Sequence, residues 1–228
     1  MKNALVVVPA YNEQETIKLV VERALRYADV CVIDDGSQDS TAAIVAAIPD
    51  AVCINHRKNT HIPGAILDGM RYAARRQYNY VVTMDAGLSH SPDELPSILN
   101  APDSDMVIGV RTREVNKPLY RKLLSKVGTF MINLALRHFD RRLAPARFCD
   151  LTSGYRRYSR KAVELLLGKR FIARSFDFHI EALMFLYRNG MDISEVPISY
   201  NFSNSSLNFK VIFDAVLMLF DLFLAYRK

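Results

Sequence analysis

Over the first 110 residues, short apolar runs alternate with stretches of helical periodicity, and this alternation leaves few folds open. Leu5 to Pro9 reads as a buried strand, Glu13 to Arg26 as a helix, Val30 to Ile33 as a strand, and Ser40 to Ile48 as a helix capped by Asp39 or Ser40. Strands follow at Val52 to Asn55, Val81 to Met84 and Met106 to Gly109, with helices at Ala65 to Arg76 and Pro92 to Leu99 between them. Such spacing predicts an α/β chain with a mainly parallel sheet and helices on both faces. Ligands of these sheets bind beyond the carboxyl ends of the strands. Three strand ends therefore carry the functional question: Pro9-Ala10-Tyr11-Asn12-Glu13, Asp34-Asp35-Gly36-Ser37 and Asp85-Ala86-Gly87.

After Pro118 the pattern changes. A long helix is expected over Leu119 to Phe139, then a basic loop, then Thr152 to Tyr158 leading into a helix from Ser159. Another helix over Asp177 to Arg188 is closed by Asn189-Gly190, where a left-handed residue suits the C-terminal cap. Asp192 to Phe202 reads as an edge strand interrupted by Pro197. Asn208 to Tyr226 reads as an apolar helix, buried either in a homodimer interface, against a bilayer surface or on its own domain. No apolar stretch reaches the roughly 18 residues of a membrane span.

The 228 residues suffice for one sizeable domain with a helical appendage, and nothing in the composition suggests disorder or repeats. Cys31, Cys53 and Cys149 are odd in number and far apart, which favours free thiols in a reducing compartment. A strand begins almost at the N-terminus, so a cytoplasmic location without a signal peptide is expected. The net charge of +6 is uneven: residues 111 to 174 hold 17 Lys and Arg against 4 Asp and Glu. The basic stretch suits phosphate groups or anionic lipid headgroups, and it lacks any nucleic-acid motif.

The strings Pro9-Ala10-Tyr11-Asn12-Glu13 and Val32-Ile33-Asp34-Asp35-Gly36-Ser37-Gln38-Asp39-Ser40-Thr41, each at a strand end, together resemble the nucleotide-binding half of inverting family 2 glycosyltransferases of the GT-A fold. The resemblance implies that Pro9, Tyr11, Glu13, Asp34, Asp35 and Ala86 bind the nucleotide, with Tyr11 covering the base and the aspartates accepting from base or ribose. The order Gly109-Val110-Arg111, Arg121-Lys122-Leu123-Leu124-Ser125 and Asp150-Leu151-Thr152-Ser153-Gly154-Tyr155-Arg156-Arg157-Tyr158 is similar to that of the polyprenyl-phosphate (dolichol-phosphate) mannose synthases. That similarity implies a nucleotide-binding half at 1–110 and an acceptor half at 111–207, and the apolar pattern sets off the C-terminal helix at 208–228. Arg121 and Ser125 lie four apart on one helical face, able to hold one phosphate, and Arg111 is placed to join them.

On this reading the chain moves a hexose, mannose from GDP-mannose, to a polyprenyl phosphate at the cytoplasmic membrane surface, with inversion. A lipid monophosphate is already an anionic nucleophile, so positioning and charge neutralisation replace a general base. A divalent cation, Mg²⁺ or Mn²⁺, would sit on Asp85 and stabilise the diphosphate leaving group. The family's Asp-x-Asp is Asp85-Ala86-Gly87 here, which removes one carboxylate and leaves water, His90 or substrate phosphates to complete a weakened site. Two further segments depart: Asn59-Thr60-His61-Ile62-Pro63-Gly64 is bulkier than the family's glycine-rich stretch, and Ser203 to Lys210 lacks an arginine. A UDP-sugar donor such as UDP-glucose, or a non-catalytic protein that kept the fold, are the alternatives.

Overall fold

The computed structural model describes residues 3–115 and 148–201. Among these residues seven strands form one sheet: β1 (Ala4–Ala10), β2 (Asp29–Asp34), β3 (Ala51–Asn55), β4 (Tyr80–Thr83), β5 (Met106–Val115), β6 (Arg156–Ser159) and β7 (Ile193–Asn201). Among the described residues six helices accompany them: α1 (Ile17–Ala24), α2 (Thr41–Ala46), α3 (His61–Arg75), α4 (Leu95–Leu99), α5 (Arg160–Leu167) and α6 (Asp177–Arg188), with a 3₁₀ turn at Pro92–Glu94. The strand order is β3-β2-β1-β4-β6-β5-β7. Every pairing is parallel except those of β6, which runs antiparallel to both β4 and β5.

The period of two along each strand divides the core. Leu5, Val7, Cys31 and Ile33 join a cluster with residues of α3, α5 and α6, while Val6, Val8, Val30 and Val32 join one with α1, α2 and α4. Both faces of the sheet are thus covered, which is why its central strands are almost wholly apolar. The three cysteines are free, with Cys31 buried and Cys149 exposed. Among the described residues no helix is long and apolar enough to cross a membrane.

Several boundaries differ from expectation for identifiable reasons. α1 begins at Ile17 rather than Glu13, because the backbone N–H groups of Asn12, Glu13 and Gln14 bond side chains of the β2–α2 turn. Ser40 makes no side-chain cap; the Asp39 carboxylate accepts from the Thr41 N–H instead. β5 continues to Val115, and Pro197 does not interrupt β7, which stands at the sheet edge and pairs with β5 from Ile193 to Asn201. Asn189 ends α6 and Gly190 takes φ 72°, as the left-handed cap requires. The expected helices over Leu119 to Phe139 and 208–228 lie outside the described residues.

Candidate active site

The turns after β1 and β2 are fastened to each other. Asn12 N donates to Ser37 Oγ at 2.9 Å, and Gln38 N donates back to Asn12 Oδ1 at 2.8 Å. Glu13 N donates to Thr41 Oγ1 at 2.8 Å, Gln14 N to Asp39 Oδ2 at 3.1 Å, and Ser40 N to Gln14 Oε1 at 3.1 Å. Asn12 adopts a left-handed φ of 55°, and Gly36, at φ 79°, lies against the Lys58–Asn59 backbone, where a Cβ would come within 3.2 Å. These turns leave Tyr11 exposed and Pro9 half-buried beside it. The two motifs therefore form one shelf at the strand ends.

Asp34 and Asp35, expected to act alike, occupy different surroundings. Asp35 Oδ1 accepts from Thr60 N at 2.8 Å and Thr60 Oγ1 at 2.7 Å, with His56 Nδ1 at 2.7 Å. His56 Nε2 in turn stands 3.0 Å from Asp68 Oδ2. Asp34 is equally buried, at 4 % exposure, yet its Oδ1 has no partner. A buried carboxylate oxygen left unpaired costs stability unless something binds there. Thr60, in the bulky segment that departs from the family, is what anchors Asp35.

Asp85 follows β4 and faces two histidines. Its Oδ2 lies 3.0 Å from Nδ1 of His90, which is buried between Tyr155 and Tyr200, with ring centroids 5.3 and 5.2 Å away. Burial alone would raise the Asp85 carboxyl, but the neighbouring His90, with a contribution from Arg111, holds it at about 2. On the other side lies Gly154, where a side-chain carbon would come within 3.1 Å of both Asp85 Oδ1 and His179 Nε2. His179 is 2 % exposed and its Nδ1 has no partner. Burial and the nearby Arg156 charge push its imidazole down to about 3, so it is neutral.

At Gly87, by contrast, an added Cβ would meet nothing within 4 Å, so packing does not exclude a side chain there. Ala86 is buried, and its carbonyl lies 3.0 Å from Thr16 Oγ1, which is also 2.9 Å from Glu13 Oε2. Burial raises the Glu13 carboxyl, and the charge of Asp85 adds to the effect. Among the described residues no group of three or more His, Cys, Asp and Glu side chains is arranged to hold a metal ion. Asp85 with His179 gives two donors, and two suffice where phosphates and water supply the rest.

Arg111 reaches this region in the grip of another residue. Its Nε and Nη2 donate to Asp150 Oδ2 and Oδ1 at 2.6 and 2.7 Å, and Nη2 also to Thr152 Oγ1 at 2.6 Å. Asp150 is pulled below the ordinary carboxylate range, its burial being outweighed by these bonds to Arg111. Part of the basic stretch is turned into the protein. Arg156 is fully buried and donates to the carbonyls of Leu151, Ser153 and His179, while Arg157 donates to those of Leu99, Ala101 and Pro102. Arg121 and Ser125 lie outside the described residues.

The structure brings Pro9, Tyr11, Glu13, Asp34, Asp35, Asp85, Ala86 and Arg111 to the carboxyl-end rim of the sheet. The sequence reading had no role for His56 or His179 and none of its own for Asp150. Asp150 stood in a singled-out string, and its partner Arg111 was the available signal. His179 carried none, since only the packing of α6 on the sheet brings it to Asp85.

A family model, Glycosyl transferase family 2, matches residues 5–166. The chain belongs to that family. Curated relatives include the polyprenol monophosphomannose synthase of Mycolicibacterium smegmatis, 32 % identical over 87 % of this chain and 77 % of that protein. The undecaprenyl-phosphate mannosyltransferase of Micrococcus luteus is also 32 % identical, over 86 % of this chain and 82 % of its own. A solved structure of similar fold is glucosyl-3-phosphoglycerate synthase from Mycobacterium tuberculosis with Mn²⁺, UDP and glucosyl-3-phosphoglycerate. Its TM-score is 0.72 at 17 % identity, covering 99 % of this chain and 80 % of that one.

Proposed function

We propose that this glycosyltransferase moves a hexose, mannose from GDP-mannose, onto a polyprenyl phosphate at the cytoplasmic membrane surface, with inversion. The observation that carries the reading is the state of the two carboxylates at the β4 and β6 ends. Asp85 is held at about 2, and Asp150 is bonded through both oxygens to Arg111. Neither suits proton abstraction near neutrality, which a hydroxyl acceptor would require and a phosphate acceptor would not. Mannosyl transfer to a lipid phosphate is also what the two relatives of highest identity above are named for.

In this scheme Tyr11 lies against the base, and the unpaired Oδ1 of Asp34 accepts from base or ribose. Asp35, anchored by Thr60 and His56, fixes the turn that presents Asp34. Arg111, Arg121 and Ser125 neutralise and position the acceptor phosphate for in-line attack at the anomeric carbon. Asp85 and His179 fit a divalent cation, which when bound would stabilise the charge developing on the diphosphate. A UDP-sugar donor is the second reading, and it rests on one relative. The UDP-N-acetylglucosamine--dolichyl-phosphate N-acetylglucosaminyltransferase of Methanococcus voltae is 28 % identical over 88 % of this chain.

The test is transfer of labelled sugar from GDP-mannose, UDP-glucose or UDP-N-acetylglucosamine into an organic-extractable polyprenyl phosphate product. Label from GDP-mannose alone is expected. Label from a UDP-sugar alone replaces the donor, and no label from any, with no thermal shift by GDP or UDP, defeats the enzyme reading. Bound nucleotide at 100 times its dissociation constant stabilises by about 2.7 kcal/mol, so the thermal shift is measurable.

A further inference from the structure

The loss of a carboxylate at Gly87 has a counterpart on another element. Asp85 Oδ2 lies 3.0 Å from His90 Nδ1, while Oδ1 and His179 Nε2 each lie 3.1 Å from where a side-chain carbon at Gly154 would sit. No hydrogen bond joins Asp85 to His179, although both approach the same point. An oxygen and a nitrogen that approach one point, with no side chain between them at Gly154, leave room for a cation that both could ligate. We propose that His179 is the second protein donor to the divalent cation, standing in for the carboxylate absent at position 87.

The inference rests on the glycosyltransferase reading above, and it deepens it by giving the site a metal preference. His179 is held in place by α6, and its own carbonyl accepts from the buried Arg156, so the imidazole is delivered on a rigid element. Exchanging a carboxylate for an imidazole removes a charge and supplies a nitrogen, which disfavours Mg²⁺ and favours later divalent ions along the order from Mn²⁺ to Co²⁺ and beyond. Gly154 is required because any side chain there would fill the space between the donors.

The experiment is Mn²⁺ binding to the full chain with GDP or UDP present, followed by electron paramagnetic resonance, with pulsed detection of ¹⁴N coupled to the bound ion. The wild-type protein is expected to show nitrogen coupling and to bind Mn²⁺ in preference to Mg²⁺. H179F, which keeps a ring in the buried site, should lose that coupling and bind Mn²⁺ about tenfold or more weakly. Adding G87D to H179F should restore binding without the nitrogen signal and bring Mg²⁺ close to Mn²⁺. Mn²⁺ affinity within twofold of wild type in H179F, or an unchanged nitrogen signal, overturns the proposal. Should H179F fail to fold, G87D alone decides, because an unchanged Mg²⁺ to Mn²⁺ ratio also overturns it. Nitrogen-coupled Mn²⁺ in a protein that binds neither nucleotide would uphold this site while defeating the transferase reading.

Discussion

At the β1–β2 end of the site, five hydrogen bonds between short polar side chains and exposed backbone fasten one turn to the other. At the β4–β6 end, charged groups do the fastening from within: Asp150 on Arg111, and Arg156 on three carbonyls. The first construction is a sum of small local terms and tolerates the loss of any one. The second puts charge where water cannot compensate for a missing partner, so single losses are severe. On the proposed function, a nucleotide shelf can be held by many small bonds, whereas a region that meets a diphosphate and an anionic acceptor needs fixed charge already in place.

Breaking the buried end should give the largest effect. R156M strips three carbonyls of their donor and is expected to cost about 3 kcal/mol or more in urea unfolding. A loss below about 1 kcal/mol would show that these carbonyls find other partners. D150N removes the carboxylate charge that Arg111 bonds through two nitrogens and should cost about 2–3 kcal/mol at pH 7. Because the Asp150 carboxyl is lower in the folded chain, its contribution is present above the unfolded value of about 3.9 and is lost as pH falls through the folded value. The gap between wild type and D150N should therefore close in acid, and a constant gap from pH 7 to 3 would contradict the pairing.

The adjacent aspartates sharpen the comparison at a smaller scale. D35N is expected to destabilise by about 2 kcal/mol, since it disturbs the bonds to Thr60 and His56. D34N should leave stability unchanged or raised and weaken nucleotide binding about tenfold or more, measured by calorimetry, because its oxygen has no partner within the protein. The reverse pattern would exchange their roles. N12A is expected to show the smallest effect, about 1 kcal/mol in thermal unfolding, from one lost side-chain bond and a left-handed residue with less tolerance for it. If N12A matched R156M, the shelf would not be the additive structure described.

Much of this was readable in the residues. The strand–helix alternation, the edge position of the Pro197 strand, the Asn189-Gly190 stop and the strand-end motifs all express local periodicity and turn chemistry, which neighbouring residues determine. The beginning of α1 was missed because its N–H groups go to residues 25 to 28 positions away. The fate of Arg156 and Arg157 was missed for a related reason. A run of arginines reads as a basic surface until the backbone carbonyls that surround it are known.

Asp85-Ala86-Gly87 shows the division most clearly. The sequence by itself determined the family, the strand end and the missing carboxylate, since each is a pattern along the chain. Only the tertiary structure decided that His90 lies against one oxygen of Asp85 while the other oxygen and His179, 94 positions later, both approach Gly154. Groups converge on a site by how helices pack on the sheet, and that packing depends on contacts far apart in sequence, which no local pattern records.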